Sequence, residues 1–457
     1  MSISIRQLLL FLLLSIGTVE SQARVFEHVL DNGLEIFVKE DHRAPVVVSQ
    51  VWYKVGSSYE HDGITGVSHI LEHMMFKGTR NHPSGEFSRI IAENGGSENA
   101  FTGQDYTAYF QSLEKARLEI SLELEADRMR NLQLTPDEFQ KEREVVLEER
   151  RMRTDDQPRS KVYEYFMSIA HTNGGYRNPI IGWADDIRNL DVSDLDDWYQ
   201  LWYAPNNAVL VVAGDVESKA VFKLAEHYFG SLKAADLRAP KPRIEVEQVG
   251  ARRINVRLPA ELPYLVMGYK VPVLKTVDSE KDAYALEVLA GILDGGESAR
   301  LTSRLVRGKQ LAVSAGAGYD LFARLRSLFV FEATPSHGYT LENLETALKA
   351  EIAELQTKAV QSTELERVKA QVLANKIYQQ DSVFYQAMQI GMLETVGLGW
   401  RRMDEYVKKI HEVTATDIMR CAQKYLIDAQ LTVAYLDPLP IDQKMPAPPV
   451  SGGPHVH

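Results

Sequence analysis

The stretch Gly63-Ile-Thr-Gly-Val-Ser-His-Ile-Leu-Glu-His-Met-Met-Phe-Lys-Gly78 decides how this chain of 457 residues is interpreted. It predicts a helix, and residues three or four positions apart lie on one face of a helix. His69, Glu72 and His73 therefore share a face. Two imidazoles one turn apart can bind the same metal ion, and histidine nitrogen is a ligand that suits zinc. A carboxylate beside them can take a proton from a water molecule on the metal.

The spacing His-x-x-Glu-His is the inverted form of a signature found in zinc proteases. A structural alternative is a partly buried pair of hydrogen-bonded histidines. Two features favour the metal. Glu72 lies at the spacing that serves a metal-bound water, and the neighbouring side chains are apolar, which makes an unpaired charge costly. These neighbours are Ile70, Leu71, Met74, Met75 and Phe76.

A catalytic zinc ion needs a third protein ligand, and a charged helix predicted over residues 137–153 supplies the candidates. Glu142, Val145 and Glu149 fall on one face of this helix. Taken alone, the same pattern is typical of a solvated face with Glu–Arg pairs. The spacing does not choose among Glu142, Glu148 and Glu149.

The motif and this helix together resemble the pitrilysin family of metallopeptidases, which includes the mitochondrial processing peptidases and insulin-degrading enzyme. In that family the inverted motif is followed downstream by a Glu-Arg-x-Val-hydrophobic-Leu-x-Glu stretch. Here that stretch begins at Glu142 and ends at Glu149. The resemblance implies that His69, His73 and Glu149 hold one zinc ion. It also implies that Glu72 is the catalytic base and that Glu142 supports the ligands from behind.

The resemblance covers residues 25 to about 437 and extends to the substrate. Asn99, Ala100 and Phe101 belong to a segment that resembles the family's active-site edge strand. They are therefore expected to bind the backbone of a peptide or an unfolded protein. The implied fold is α+β, with two similar domains, each a mixed, mostly antiparallel sheet with helices packed on one face.

Length and charge narrow the classes of protein further. Because 457 residues are too many for one core, two or more domains are expected. The formal net charge is −12, and no basic stripe is present to meet phosphates, which argues against nucleic acid as a partner. The single Cys421 excludes an intrachain disulfide and is expected to be a small buried residue.

An apolar run at the N-terminus predicts export. Arg6 precedes the run at 8–19, and Ser21 and Ala23 place small residues where a signal peptidase needs them. We therefore expect cleavage after Ala23 and a periplasmic or secreted protein. An uncleaved membrane anchor is the alternative, but the run is shorter than the about 20 apolar residues that a membrane span needs. No stable membrane span is expected elsewhere.

The predicted organisation has five parts. These are a signal peptide at 1–23, an N-terminal metallopeptidase domain with the zinc site at 24–233, a linker at 234–250, a C-terminal domain of the same type at 251–437, and a disordered tail at 438–457. The elements of the second half follow those of the first in order, which indicates a weak internal repeat. The second half carries no His-x-x-Glu-His.

The second half departs from the family in one respect. Active members carry an Arg and a Tyr there, and the matching stretch places Val306 and Val313 at those positions, with Arg307 and Tyr319 out of register. Valine has no hydroxyl group to stabilise an oxyanion. We therefore expect one subunit of a two-chain enzyme, whose related partner carries the Arg/Tyr pair, with a homodimer as the alternative. The rival to a zinc endopeptidase is a non-catalytic structural or partner subunit, and the intact motif argues against it.

Overall fold

Two mixed β-sheets form the framework of residues 24–237, 241 and 244–441, the part of the chain that the computed structural model describes. The predicted signal peptide, and the tail from residue 442, lie outside the described residues. The strands of the first sheet are β1 Val25–Val29, β2 Glu35–Glu40, β3 Val46–Tyr53, β4 Ser97–Thr102, β5 Thr107–Glu114 and β6 Ala208–Gly214. Their order is β1-β2-β6-β3-β5-β4, so β4 lies at an edge. All neighbours are antiparallel except β2 and β6.

The second sheet repeats this plan with one strand fewer. Its strands are β7 Arg252–Pro259, β8 Tyr264–Val271, β9 Ala312–Tyr319, β10 Ser327–Pro335 and β11 Leu431–Leu439. Their order is β7-β11-β8-β10-β9, and β7 and β11 are the parallel pair. The two sheets with their helices confirm the predicted α+β fold of two domains.

Helices fill the connections between the strands. Those of the first half are α1 Val67–Met74, α2 Glu86–Glu93, α3 Leu118–Asn131, α4 Pro136–Arg150, α5 Pro158–Ala170, α6 Ala184–Asn189, α7 Val192–Trp202 and α8 Ser218–Phe229. Those of the second half are α9 Glu280–Asp294, α10 Leu341–Thr357, α11 Ser362–Gln380, α12 Val383–Thr395, α13 Arg402–Glu412 and α14 Ala415–Tyr425. The motif helix α1 ends at Met74, one turn before the expected end near Gly78.

Strand β6 is buried along its whole length, so the first sheet must be covered on both faces. One face packs against α1 and other helices of the first half. The opposite face, around Trp52 and Val211, packs against Ala387, Ile390 and Leu393 of α12. A helix of the second half therefore completes the first domain.

The second sheet has the reciprocal arrangement. Helices α9, α10 and α14 cover one face. On the other face, Val162 and Phe166 of α5 pack against Val266 and Ala434. Each half thus keeps its own helices on one face of its sheet, as expected, and lends one helix to the second face of the other sheet.

The linker is bound to both halves although it forms no helix or strand at 244–250. The carboxylate of Glu245 accepts backbone N–H groups of Thr172 and Gly174 from the first half. It also pairs with the buried Lys270 of β8 at 2.5 Å. Within the described ranges no helix is both long and apolar enough to cross a membrane.

The contact of α12 with the first sheet gives a stability prediction. A Cβ atom on Gly391 would lie 2.2 Å from Nε1 of Trp52, whereas one on Gly318 of β9 would meet nothing within 4 Å. Gly391→Val is therefore expected to force α12 away from the sheet and destabilise the protein by about 1–3 kcal/mol. Thermal unfolding checks this, with Gly318→Val as the matched control. Equal melting temperatures for the two variants would contradict the close packing.

Candidate metal centre

A buried glutamate fixes the start of the motif helix. Glu60 accepts the N–H of Gly66 at 2.8 Å and that of Ser68 at 2.9 Å. Gly66 has φ +91°, and a Cβ atom there would lie 2.6 Å from the carbonyl oxygen of Ile181, so the position requires glycine. Burial raises the pKa of Glu60 to about 7, while the two N–H groups favour its charged form. These contacts orient the turn that carries His69.

Three side chains from α1 and α4 converge on one point. Nε2 of His69 lies 3.7 Å, and Nε2 of His73 lies 3.4 Å, from the same Oε2 atom of Glu149. One ligand atom from each residue lies within 4.8 Å of the other two. A tetrahedral zinc ion with bonds of about 2.0–2.1 Å separates its ligand atoms by about 3.4 Å. Two imidazole nitrogens and a carboxylate oxygen at these distances fit zinc.

The charges at this point favour a cation. Burial lowers the pKa of His73, but the carboxylates of Glu142 and Glu149 outweigh it and raise the pKa to about 9. Burial raises the pKa of Glu149, but His73, His69 and Arg153 outweigh it and lower the pKa to about 2. The carboxylates that stabilise the proton on His73 would also stabilise a metal ion at this point. Metal binding therefore competes with that proton.

The three candidate glutamates of α4 lie in different surroundings. Glu149 faces the two histidines. Glu142 lies behind them, with Oε2 at 3.3 Å from Nδ1 of His73 and Oε1 at 2.7 Å from Nζ of Lys77. It thus contacts the ring nitrogen that points away from Glu149, which fixes the orientation of the imidazole. Glu148 is exposed and pairs with Arg151.

Glu72 lies beside the three converging residues, in the wall of the same cavity. Burial raises the pKa of Glu72, and a hydrogen bond from the hydroxyl group of Thr102 partly offsets this. A carboxylate with a raised pKa accepts a proton more readily, as a general base must. The contact with Thr102 was not evident from the sequence, because it joins residues 30 positions apart.

Strand β4 runs along the edge of the first sheet beside a cavity of about 980 Å³. Ala100 and Phe101 line this cavity together with the residues of the metal centre. Ala100 packs into the core beneath α1, whereas Phe101 faces the other side and meets the ring of Trp52 edge-on at 5.4 Å. Asn99 does not line the cavity, and its Oδ1 accepts the N–H of Ala100 at 2.8 Å.

The second half forms the opposite wall of the cavity, which the sequence did not reveal. The residues concerned are Tyr264, Asp320, Phe322, Ala323, Glu332, Met392 and Val396. A polar cluster holds this wall to the first half: Nε of Arg324 lies 2.9 Å from Oδ1 of Asp105, and the hydroxyl group of Tyr176 donates to the same carboxylate. The cavity is therefore built by both halves.

The second-half positions that depart from the family pattern lie away from this cavity. Val313 is exposed on the edge strand β9, and Val306 packs on the second core. The hydroxyl group of Tyr319 donates to the carbonyl oxygen of Pro272 at 2.8 Å. Neither Arg307 nor Tyr319 lines the cavity. Neither therefore supplies the missing pair at the metal centre of its own chain.

Two family models match this chain. Residues 35–183 match the insulinase model of peptidase family M16, and residues 189–372 match the model of the M16 inactive domain. The zinc protease PqqE of Helicobacter pylori is 35% identical over 439 residues, which are 93% of this chain and 97% of that protein. The chain belongs to the M16 peptidase family. This is the family, with insulinase among its members, that the motifs predicted.

Two solved protease structures share the fold. The crystal structure of a protease from Helicobacter pylori matches with a TM-score of 0.86 and 34% identity, and covers 91% of this chain and 100% of that one. The periplasmic protease PqqL of Escherichia coli matches with a TM-score of 0.76 at 18% identity. The match covers 90% of this M16 chain but 47% of PqqL. The matched region is therefore about half of PqqL.

The different positions of the α4 glutamates give a test of metal binding. We expect Glu149→Ala to lose most bound zinc, because it removes one of three converging ligand atoms, and Glu148→Ala to retain it. Glu142→Gln is expected to weaken zinc binding by about 10–100-fold, through the loosened His73 ring. Zinc content and competition with a chromogenic chelator measure both effects. Greater zinc loss in Glu148→Ala than in Glu149→Ala would overturn the assignment.

Proposed function

We propose that this M16 chain is a zinc-dependent endopeptidase that hydrolyses peptides and unfolded polypeptides. The observation that carries the proposal is the convergence of His69, His73 and Glu149 on one point, with Glu72 beside it in the cavity wall. A zinc ion held there supplies Lewis acidity and lowers the pKa of a coordinated water to about 7.

The remaining chemistry falls to side chains of the chain itself. Glu72 accepts the proton of the attacking water and returns it to the leaving amine. The hydroxyl group of Thr102 donates to Oε2 of Glu72 and holds this carboxylate at the cavity wall. Glu142 holds the ring of His73 from behind. The apolar residues around α1 keep bulk water from competing for these contacts.

The substrate binds as an extra strand on β4. An edge strand presents unpaired backbone groups, and pairing with them recognises an extended chain with little dependence on its sequence. Ala100 and Phe101 place this edge at the cavity wall. Asn99 lies outside the cavity lining, and its Oδ1 accepts the N–H of Ala100, so its contribution to peptide binding is to fix the geometry of this edge. Folded domains cannot offer such a strand, so they resist cleavage.

The role of Glu72 separates binding of the metal from hydrolysis. Glu72→Gln keeps the three ligands but removes the base, so the variant is expected to retain zinc and to lose peptidase activity. Loss of a proton-transfer group typically costs about 10²–10⁴-fold in rate. Zinc analysis and cleavage of unfolded casein measure the two properties, with a stably folded protein as the resistant control substrate. Wild-type rates in a zinc-loaded Glu72→Gln variant would refute this mechanism.

The enzyme works in a two-chain assembly. A tetrahedral intermediate needs a hydrogen-bond donor opposite the metal, and loss of one such donor typically costs about 10²–10³-fold in rate. Val306 and Val313 cannot supply it, and Arg307 and Tyr319 lie outside the cavity. A related chain with an intact Arg/Tyr pair supplies the donor in trans. A homodimer is the competing arrangement and provides enclosure without the pair.

Assays of the isolated chain test this arrangement. The chain alone is expected to cleave casein weakly, and addition of a related M16 chain that carries the Arg/Tyr pair is expected to raise the rate by about 10²-fold or more. Val313→Tyr alone is not expected to restore activity, because the arginine is also absent. Full activity of the chain alone, at a rate that the partner does not change, points to the homodimer instead.

A non-catalytic subunit is the alternative function. It is favoured by one observation: at the positions of the family's Arg/Tyr pair stand Val306 and Val313, and neither they nor Arg307 and Tyr319 line the cavity. Such a subunit needs no metal ligands, whereas this chain retains two histidines and a glutamate at zinc spacing. Zinc-dependent cleavage of casein in the presence of the partner discriminates between the two functions.

Export completes the proposal. The apolar run at 8–19 and the small residues Ser21 and Ala23 direct the chain across the membrane, with cleavage after Ala23. In a Gram-negative host the mature protein is then periplasmic. N-terminal sequencing of the native protein is expected to begin at Arg24. A retained N-terminus in the membrane fraction contradicts cleavage and favours the anchor.

A further inference from the structure

A second cavity, of about 420 Å³, lies in the second half and shares no lining residue with the cavity of the metal centre. Three segments surround it: the end of α10 with the turn that follows, the start of α11, and a π-helical segment, Leu301–Gly308, with the residues before it. Turns of π-helix are rare and frequently mark functional sites. Although the chain has a net charge of −12, cations outnumber carboxylates in this lining. The charged residues are Arg300, Arg304, Lys358 and Arg367, against Glu354 and Glu364.

Two arginines of this lining carry N–H groups that meet no acceptor among the described residues. Arg300 is 5% exposed, and its Nε and Nη2 donate to the carboxylate of Glu364 at 2.9 and 2.8 Å, but its buried Nη1 has no partner. Arg367 donates from Nη1 to the carbonyl oxygen of Ser298 at 2.6 Å, while its Nε and Nη2 are buried without a partner. Because buried polar groups of folded proteins are nearly always hydrogen-bonded, these three nitrogen atoms indicate an acceptor that comes from outside the chain.

The ion pairs around the cavity leave positive charge over. Arg304 is balanced by Glu351 at 2.7 Å and by Glu354 at 2.9 Å. Arg367 and Lys358 form no ion pair with any residue that the structure describes. Burial raises the pKa of Glu354, but Arg304 and the other cations outweigh it and lower this pKa. The potential inside the cavity therefore favours an anion.

The start of α11 adds backbone donors to those of the arginines. No side chain caps this helix, and Gln361 and Thr363 of its first turn line the cavity. The first N–H groups of a helix have no partner within the helix, and the helix dipole gives them a partial positive charge. Phosphate groups bind at such positions. The hydroxyl groups of Ser298, Ser303 and Thr363 offer further hydrogen bonds in the same lining.

We propose that this second cavity binds a phosphate group, either as inorganic phosphate or as the end group of a small phosphorylated molecule. A phosphate monoester carries a charge of about −1.5 to −2 at pH 7 and three strong acceptor oxygens. Its charge balances Arg367 and Lys358, and its oxygens can meet donors from all three segments. A carboxylate offers a single charge and two oxygens. The site is independent of the peptidase function, because it shares no residue with the metal centre.

Titration calorimetry on the zinc-loaded chain tests the site with two probes, inorganic phosphate and glycerol phosphate, in buffers matched with chloride for ionic strength. We expect one saturable site with a Kd of about 1 mM or tighter. Binding of both probes assigns the site to a phosphate end group, and binding of inorganic phosphate alone assigns it to the free ion. Phosphate should also raise the melting temperature, because a ligand that binds only the folded state stabilises that state.

Variants locate the bound phosphate. Arg367→Gln removes a charge and two nitrogen atoms that lack an acceptor, so it should weaken binding by about tenfold or more. Arg307→Gln is the matched control, because Arg307 donates to the carbonyl oxygen of Glu297 as Arg367 does to that of Ser298, but it lies outside this cavity. It should leave the affinity unchanged. Lys358 is exposed, and Lys358→Gln should weaken binding by about two- to fivefold without affecting the fold.

Three results overturn the proposal. Absence of saturable binding by both probes removes the site. Equal loss of affinity in Arg367→Gln and Arg307→Gln reduces it to a general effect of charge. Loss of phosphate binding in Glu149→Ala, which lacks a metal ligand, places the phosphate at the metal centre instead. Thermal unfolding without phosphate checks that each variant is folded, and if Arg367→Gln is not, unchanged affinity in Lys358→Gln overturns the site.

Discussion

The structure of the site depends on the packing of α1 against α4. His69 and His73 lie one turn apart on a single helix, so their relative position is set by helix geometry alone. Glu149 comes from a different helix, and it faces them because α4 packs beside α1 at a defined rotation. A rotation by one residue would present Glu148, which instead points to solvent and pairs with Arg151. The apolar core that holds the two helices together therefore selects which glutamate of α4 faces the two histidines.

The exchange of helices between the halves links this centre to the cavity. Helix α12 covers the first sheet with its apolar face, and Met392 of this helix and Val396 just after it reach the cavity wall. Helix α5 covers the second sheet and begins close to the end of α4. Because each sheet is completed by a helix of the other half, the halves cannot separate without exposing apolar surface. The cavity thus has a stable second wall.

The convergence of the two histidines beside Glu72 could be predicted from sequence because its main constraint is local. The spacing of His69, Glu72 and His73 places the three side chains on one face of a helix. The choice of Glu149 came from the family resemblance, since spacing along α4 left three glutamates open. The edge position of β4 and the two-domain fold followed from the same resemblance, and the M16 matches bear out the family.

The remaining features depend on contacts between distant residues. No local pattern shows that Thr102 bonds to Glu72, that α12 crosses to the first sheet, or that Asp320 reaches the cavity. The end of α1 at Met74 also differs from the expected end near Gly78. The chain leaves the helix early to form a bridge between Gly78 and Pro83, and Gly78 adopts φ +104°. Tertiary packing decides such boundaries.

Anomalous diffraction at the zinc absorption edge, from crystals of the chain grown with zinc, tests the central claim most directly. The account predicts one anomalous peak, at about 2.0–2.1 Å from Nε2 of His69, Nε2 of His73 and a carboxylate oxygen of Glu149. Glu72 should lie beside the peak without binding it. A peak within bonding distance of Glu142 or Glu148, or the absence of any peak between α1 and α4, would contradict this account.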